Sequence, residues 1–256
     1  MGDLSIGIKA ALGADAVREL APAVEAAGFA TLWINETPGT NALEVAAAAT
    51  VVTRALRVAT GVIPLDRRDA DAIADEVDRL EIPQDRLTVG IGSGATGQGA
   101  LALVETSIRT LRGRLNAAIA LGALGPKMRQ LAATEADAVV LNWLTPEAAA
   151  EQSRDLHTIN AAHRVVLYAR TITDGAARPA LEKESSAYAS FPKYAANFSR
   201  LGFTALDTVI DGTDPAAADL IARYRASVDD LVLRAITPTG SLDEHLAFVT
   251  SFSGLD

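Results

Sequence analysis

LTVGIGSGATGQG, residues 87–99, holds Gly92, Gly94 and Gly97 in the spacing GxGxxG directly after a short apolar run. A dinucleotide-binding turn uses that spacing, but its mechanism needs more than glycines. The strand must feed a helix whose N-terminus faces pyrophosphate, and a carboxylate must follow ~20 positions later to hold the ribose. The next apolar run, 115–121, carries no carboxylate. The stretch therefore reads as a Gly-rich turn at a strand end, and the fold has to be decided from its surroundings.

Those surroundings alternate short apolar runs with longer amphipathic ones, the signature of βα units around a parallel sheet. Strands are expected at 4–8, 31–34, 56–62, 87–91, 115–121, 138–141, 165–169 and 230–236. Helices are expected at 14–27, which ends at Gly28, and at 42–53, 69–80, 100–111, 126–133, 146–159 and 241–252, with two or three more between 178 and 224. Eight βα units in ~250 residues fit an α/β TIM (β/α)8 barrel better than a doubly wound sheet. No linker or low-complexity run divides residues 1–256, so a single domain is expected. In a barrel, function sits where strands end. That rule selects Lys9, Asn35-Glu36-Thr37, Gly61-Val62, Gly92-Ser93-Gly94, residues 122–128, Asn142-Trp143, Arg170 and Thr237.

Composition narrows the chemistry. A net charge of −9 gives no basic footprint for nucleic acid. No apolar run reaches the ~18 residues of a membrane span, and Met1 to Ser5 carry no signal-peptide pattern, so a cytoplasmic protein is expected. With no cysteine there is no disulfide, thiolate metal site or Cys nucleophile. His157, His163 and His245 show no metal-ligand spacing and read as surface residues, so no metal site is expected. Ser93 stands one place late for a GxSxG elbow. Phe191, Tyr194 and Phe198 read as a core stripe rather than a ring-stacking box, and Arg67-Arg68 as a solvated helix start.

Four segments resemble the luciferase-like monooxygenase family, especially its actinobacterial branch using the deazaflavin coenzyme F420. AAGFATLWINE (26–36) is similar to the family's second strand, ALRVATGVIPL (55–65) to its third with a Gly-Val bulge, and QDRLTVGIGSG (84–94) to its Gly-rich fourth. The most specific is LGALGPKMRQLAATEADAVVLNWLTPE (121–147), which resembles the phosphate helix and sixth strand. The resemblance implies coenzyme F420, or FMN as the alternative, at Gly61, Val62, Gly92, Ser93, Gly94, Gly125, Pro126, Lys127, Met128 and Asn142. It also implies a non-prolyl cis peptide at Gly61-Val62. A flat ring needs close backbone approach, which Gly92 and Gly94 permit; without a ligand the same glycines make a tight turn. Pro126 at a helix N1 leaves free N–H groups and a positive dipole end beside Lys127, a seat for phosphate or else an ordinary helix start.

The departures bear on mechanism. Many relatives follow the acid at the end of the second strand with His; here Thr37 follows Glu36, and Thr does not shuttle protons near neutral pH. Glu36 is expected to touch cofactor or substrate, or to form a salt bridge at the barrel mouth. Ala95 stands where relatives that oxidise sugar phosphates carry a carboxylate. The expected activity is hydride transfer between F420 (or FMN) and a small organic substrate by a homodimer, with Glu36 and Thr37 as the catalytic candidates. The alternatives are an FMN-dependent monooxygenase, a degenerate barrel without catalysis, and an isomerase or aldolase built on Lys9 or Glu36.

Overall fold

The first half of the chain runs β1 (Asp3–Lys9), α1 (Ala14–Ala26), β2 (Thr31–Asn35), α2 (Ala42–Val52), β3 (Arg57–Thr60), β4 (Ile63–Pro64), α3 (Ala70–Arg79), β5 (Leu87–Gly92), α4 (Ala100–Arg114) and β6 (Ala118–Gly122). The second half runs α5 (Pro126–Glu135), β7 (Ala138–Asn142), α6 (Pro146–Ile159), β8 (Arg164–Ile172), α7 (Arg178–Ser190), α8 (Pro192–Leu201), β9 (Ile210–Asp211), α9 (Ala217–Ser227), β10 (Asp230–Ala235) and α10 (Leu242–Ser251). This is a computed structural model, and it describes residues 1–254.

Local chemistry sets the helix starts. Asn41, Asp69, Thr145 and Ser241 each cap a helix by accepting a backbone N–H through the side chain. α1 ends just before Gly28, whose φ of +83° turns the chain towards β2. The carboxylate of Glu25 then takes the N–H groups of Arg54, Ala55 and Leu56, fixing the entry to β3.

All the ladders are parallel, and the sheet runs β10-β1-β2-β3-β5-β6-β7-β8 before β10 pairs back to β8. The result is a closed eight-stranded barrel ringed by helices, the single-domain α/β TIM fold expected from the alternation. Three details differ. The expected strand 56–62 breaks at the Gly61–Val62 peptide, which is cis, and continues as β4. β6 begins at Ala118 rather than Leu115, and β8 runs on to Ile172. The region 178–224 supplies three helices and the short β9, which pairs with the end of β8. Tyr224 of α9 anchors this excursion: its one buried O–H is shared between the carbonyls of Leu144 (3.0 Å) and Thr208 (3.1 Å), a contact of ~1 kcal/mol.

Successive strand residues face opposite sides of the sheet. Val58, Val89, Ile119 and Val165 join the large shell between strands and helices. A second set packs inside the barrel, including Trp33, Ala59, Ala120, Val140, Tyr168 and Val232. The interior is lopsided. β3, the break after it, β5 and β6 send in Ala59, Gly61, Gly90, Gly92, Ala120 and Gly122, whereas β2 and β8 send in Trp33 and Tyr168, whose rings meet edge to face at 5.8 Å. Small residues on one arc and large ones on the other leave the space at the mouth from which the site is made.

Candidate active site at the barrel mouth

One cavity of about 950 Å³ opens at the C-terminal ends of the strands. Its β3–β6 side is shaped by glycine. A Cβ on Gly92 would lie 2.8 Å from the Val62 side chain, and one on Gly122 would lie 3.3 Å from it. A Cβ on Gly61 would strike the Tyr168 hydroxyl at 1.8 Å. The glycines thus clear room for the protein's own side chains, and Val62 rises as an apolar ledge in the cavity wall. This corrects the reason given for Gly92 and Gly94. At Gly94 (φ +57°) the missing Cβ makes way for Asp66, which accepts the Ala95 N–H at 2.9 Å.

At the next edge α5 begins with Pro126 at N1, and no side chain caps it. Gly125 has φ −90° and ψ 160°, ordinary extended backbone, and a Cβ there would meet nothing within 4 Å. The N–H groups of the first turn are open to a ligand, with Lys127 beside them.

Across the mouth sits a charged cluster. Arg170 and Arg234 are Cα partners in the β8–β10 ladder, and both are buried. Like charges in register repel. Glu184, reaching in from α7, offsets them: its Oε1 takes Arg170 Nε at 3.1 Å, and its Oε2 lies 3.0 Å from Lys9 Nζ and 3.7 Å from Arg234 Nη2. Arg234 Nε also donates to Asn35 Oδ1 (2.9 Å), Asn35 donates to the Gly61 carbonyl, and Arg170 donates to Asn142 Oδ1. The Arg170 guanidinium lies 4.0 Å from the centre of the Trp143 ring, a cation–π contact. Burial alone would push the Glu184 carboxyl up, but Arg234, Arg170 and Lys9 together outweigh it and hold it at about 2, below the ordinary 4.5. Burial pushes the Arg234 guanidinium down and the Tyr168 hydroxyl well up, so the phenol stays a donor; among the described residues it has no hydrogen-bond partner.

The cavity wall includes Glu36, Thr37, Gly61, Val62, Gly92, Ser93, Gly94, Gly125, Pro126, Lys127, Met128 and Asn142, the whole set singled out in sequence. Lys9, Asn35 and Arg170 line it too, while Trp143 and Thr237 do not. Several of these side chains are already engaged. Glu36, only 4% exposed, accepts from Arg68 Nη2 and from the Ala42 N–H at the start of α2, both at 3.1 Å, so the salt-bridge reading describes it. Arg68 is thereby not a solvated helix start. Thr37 closes a local turn with Thr40. Asn142, besides receiving Arg170, donates to the Tyr194 hydroxyl at 3.4 Å.

Other expectations need correcting. His163 and His245 are buried, not on the surface; no His/Asp/Glu group among the described residues is arranged for a metal. The aromatic stripe divides, with Phe198 packed against Trp143 in the core while Tyr194 and the half-exposed Phe191 face the cavity beside Tyr188. Glu184, Arg234, Tyr168 and Tyr188 were missed. A period-two count from Arg170 would have found Tyr168, but nothing local marks Glu184.

With this geometry in place, comparison with known proteins shows what the chain resembles. The luciferase-like monooxygenase family model matches residues 4–99. No curated protein matches the sequence. Among solved structures, the coenzyme F420-dependent tetrahydromethanopterin reductase from Methanopyrus kandleri superposes with a TM-score of 0.69 at 14% identity, covering 99% of this chain and 97% of its own. An F420-dependent secondary alcohol dehydrogenase in complex with an F420-acetone adduct gives 0.70 at 14%, covering 98% and 99%. The oxygenating constituent of 3,6-diketocamphane monooxygenase from Pseudomonas putida, in complex with FMN, gives 0.68 at 14%, covering 98% and 97%. The luciferase-like monooxygenase model thus finds the first strands of this chain, and solved structures of the same barrel fold superpose over nearly all of it. At these identities the neighbours speak to fold alone.

The Glu184 cluster makes a pH prediction. A carboxyl held below its unfolded value stabilises the fold above pH 4.5, and that contribution is lost as pH falls from 4.5 towards 2. Glu184→Gln should therefore unfold at a lower temperature than the parent near neutrality, and the gap should close below pH 4.5. Thermal unfolding of both proteins across pH 3–8 measures it.

Proposed function

We propose that this barrel is an oxidoreductase that binds coenzyme F420, or FMN in its place, at the mouth and passes hydride between the cofactor and a small organic substrate. The observation that carries the reading is the pairing of one large cavity with the uncapped start of α5 on its rim. A flat tricyclic ring with an anionic tail fits those features. The tail would take the N–H groups of Lys127 and Met128 with the Lys127 charge beside them, and the ring would lie against the Val62 ledge. The unpartnered Tyr168 hydroxyl, next to Gly61, would supply a hydrogen bond. Neighbours of the same fold whose structures or names carry F420 and FMN support the reading.

The bound cofactor would supply the electrons as hydride, so the protein's share is position and electrostatics. Tyr188, Phe191 and Tyr194 form the outer wall, and Lys193 Nζ donates to the Thr96 carbonyl at 2.9 Å, joining α8 to the Gly-rich loop and narrowing access for water. Glu36 and Thr37 stay in the proposal as wall residues near the substrate. With its hydroxyl held in a turn, Thr37 has no proton-transfer task.

Gly125→Asp tests the seat. Its backbone suits any residue and Asp favours an N-cap, so the variant should fold with unchanged or slightly raised stability. Its charge would meet the cofactor's tail. Affinity for F420 and FMN should fall by more than the ~1 kcal/mol of one charge-to-helix contact, about fivefold, and Lys127→Ala should do less. Unchanged affinity in a folded Gly125→Asp protein defeats the reading.

Thr37→Ala should lower turnover only slightly. A loss beyond about a hundredfold, ~2.7 kcal/mol in the barrier, would give the hydroxyl a chemical role.

We also propose a homodimer, for which Val51 (81% exposed) and Val52 (37%) at the end of α2 offer an apolar surface. Light scattering at micromolar concentration should give twice the 26.6 kDa chain mass; a monomer overturns it.

A further inference from the structure

The chain carries a net charge of −9, yet the cavity at its barrel mouth is walled by Lys9, Lys127, Arg170, Lys193 and Arg234 against two carboxylates, Glu36 and Glu184. Glu36 is already neutralised by Arg68, which does not line the cavity. The excess is concentrated on the β8–β10–β1 arc, where Lys9, Arg170 and Arg234 share the single carboxylate of Glu184.

We propose that the substrate of this site is an anion whose carboxylate or phosphate is held by Lys9, Arg170 and Arg234. The inference rests on the oxidoreductase reading for the word substrate, but the anion site is defined by its own geometry. Among the described residues, Nη2 of Arg170 and Nη2 of Arg234 have no acceptor within hydrogen-bond distance; Glu184 is 3.7 Å from the latter. The side chains are 3% and 4% exposed, so two guanidinium groups are largely withdrawn from water around one carboxylate. That arrangement is costly unless a further anion completes it. A planar guanidinium edge matches a carboxylate or phosphate in two-point contact.

The cofactor's own phosphate does not account for this charge. In the closed strand order, β6, which leads into α5, stands directly across the barrel from β1, which carries Lys9. Phosphate seat and cation cluster therefore face each other over the mouth, with room for a ring between them. A neutral or cationic substrate would leave the surplus uncompensated.

The test uses malonate and inorganic phosphate as probes and malonamide as the neutral control, titrated calorimetrically into the full-length protein with and without bound F420 or FMN. Malonate, phosphate or both should bind and malonamide should not; which anion binds more tightly identifies the headgroup. Lys9→Ala, at a half-exposed strand end, and the charge-keeping Arg170→Lys should each weaken anion binding by about tenfold, while F420 or FMN affinity changes by less than about threefold. Glu184→Gln removes the internal competitor and should tighten anion binding, a sign that a merely structural loss would not produce. Lys183→Ala, an exposed cation of α7 outside the cavity, should change nothing. The proposal is overturned if neither anion binds, if malonamide binds as well as malonate, if Lys9→Ala leaves anion affinity intact, or if these variants lose the cofactor along with the anion. Anion binding without any cofactor binding would uphold the anion site and defeat the oxidoreductase reading instead.

Discussion

The parallel ladder between β1 and β10, in register from Asp3 against Asp230 to Gly7 against Arg234, closes the sheet on itself. Closure fixes two things for every strand at once. All C-terminal ends emerge on one side, and every second residue is committed to the interior. Lys9, Asn35, Gly61, Gly92, Gly122, Asn142, Arg170 and Arg234 all line the mouth cavity, although they come from eight different strands or strand ends. No residue could leave this set without a register shift that would turn its strand's apolar face inside out.

Within that constraint, side-chain size gives the mouth its shape. The glycines of β5 and β6 and of the bulge act through their neighbours: Gly92 and Gly122 make way for Val62, and Gly61 for the Tyr168 ring. Gly7 serves the opposite arc in the same way, since a Cβ there would lie 3.3 Å from Arg234 Cα and Cδ. The cavity is therefore bounded on one side by an apolar ledge and on the other by guanidinium groups, with the aromatic residues of α7 and α8 as the outer wall. An apolar ledge, an uncapped helix start and a cationic arc are the three features any functional account of the site has to use.

Much of this was legible in the chain. The alternation of apolar runs located all eight barrel strands within a few residues, because parallel strands buried on both faces must be continuously apolar. Pro126 and Gly125 marked a helix start because proline at N1 has a fixed φ and no N–H to lose. The glycines expected at a cofactor line the mouth cavity, but a missing Cβ says that something approaches, not what. For Gly92 it is Val62 and for Gly94 it is Asp66, and neither contact is visible without coordinates. The histidines erred for a similar cause. Burial of His163 and His245 depends on which elements pack over them, and a neutral imidazole tolerates it.

The sequence by itself determined the barrel, its helix starts and the ring of strand-end residues, because period, caps and turn residues act over a few neighbouring positions. Only the tertiary structure decided how those residues are paired. Arg170 and Arg234 lie 64 positions apart in the chain, yet the β8–β10 register makes them partners, and Glu184 reaches them from a helix outside the strands. Glu36 took Arg68, Asn142 took Arg170 and Tyr194, and Tyr168 was left with its donor free. Charge pairing of this kind depends on distances between elements remote in sequence, and closing the barrel is the step that sets those distances.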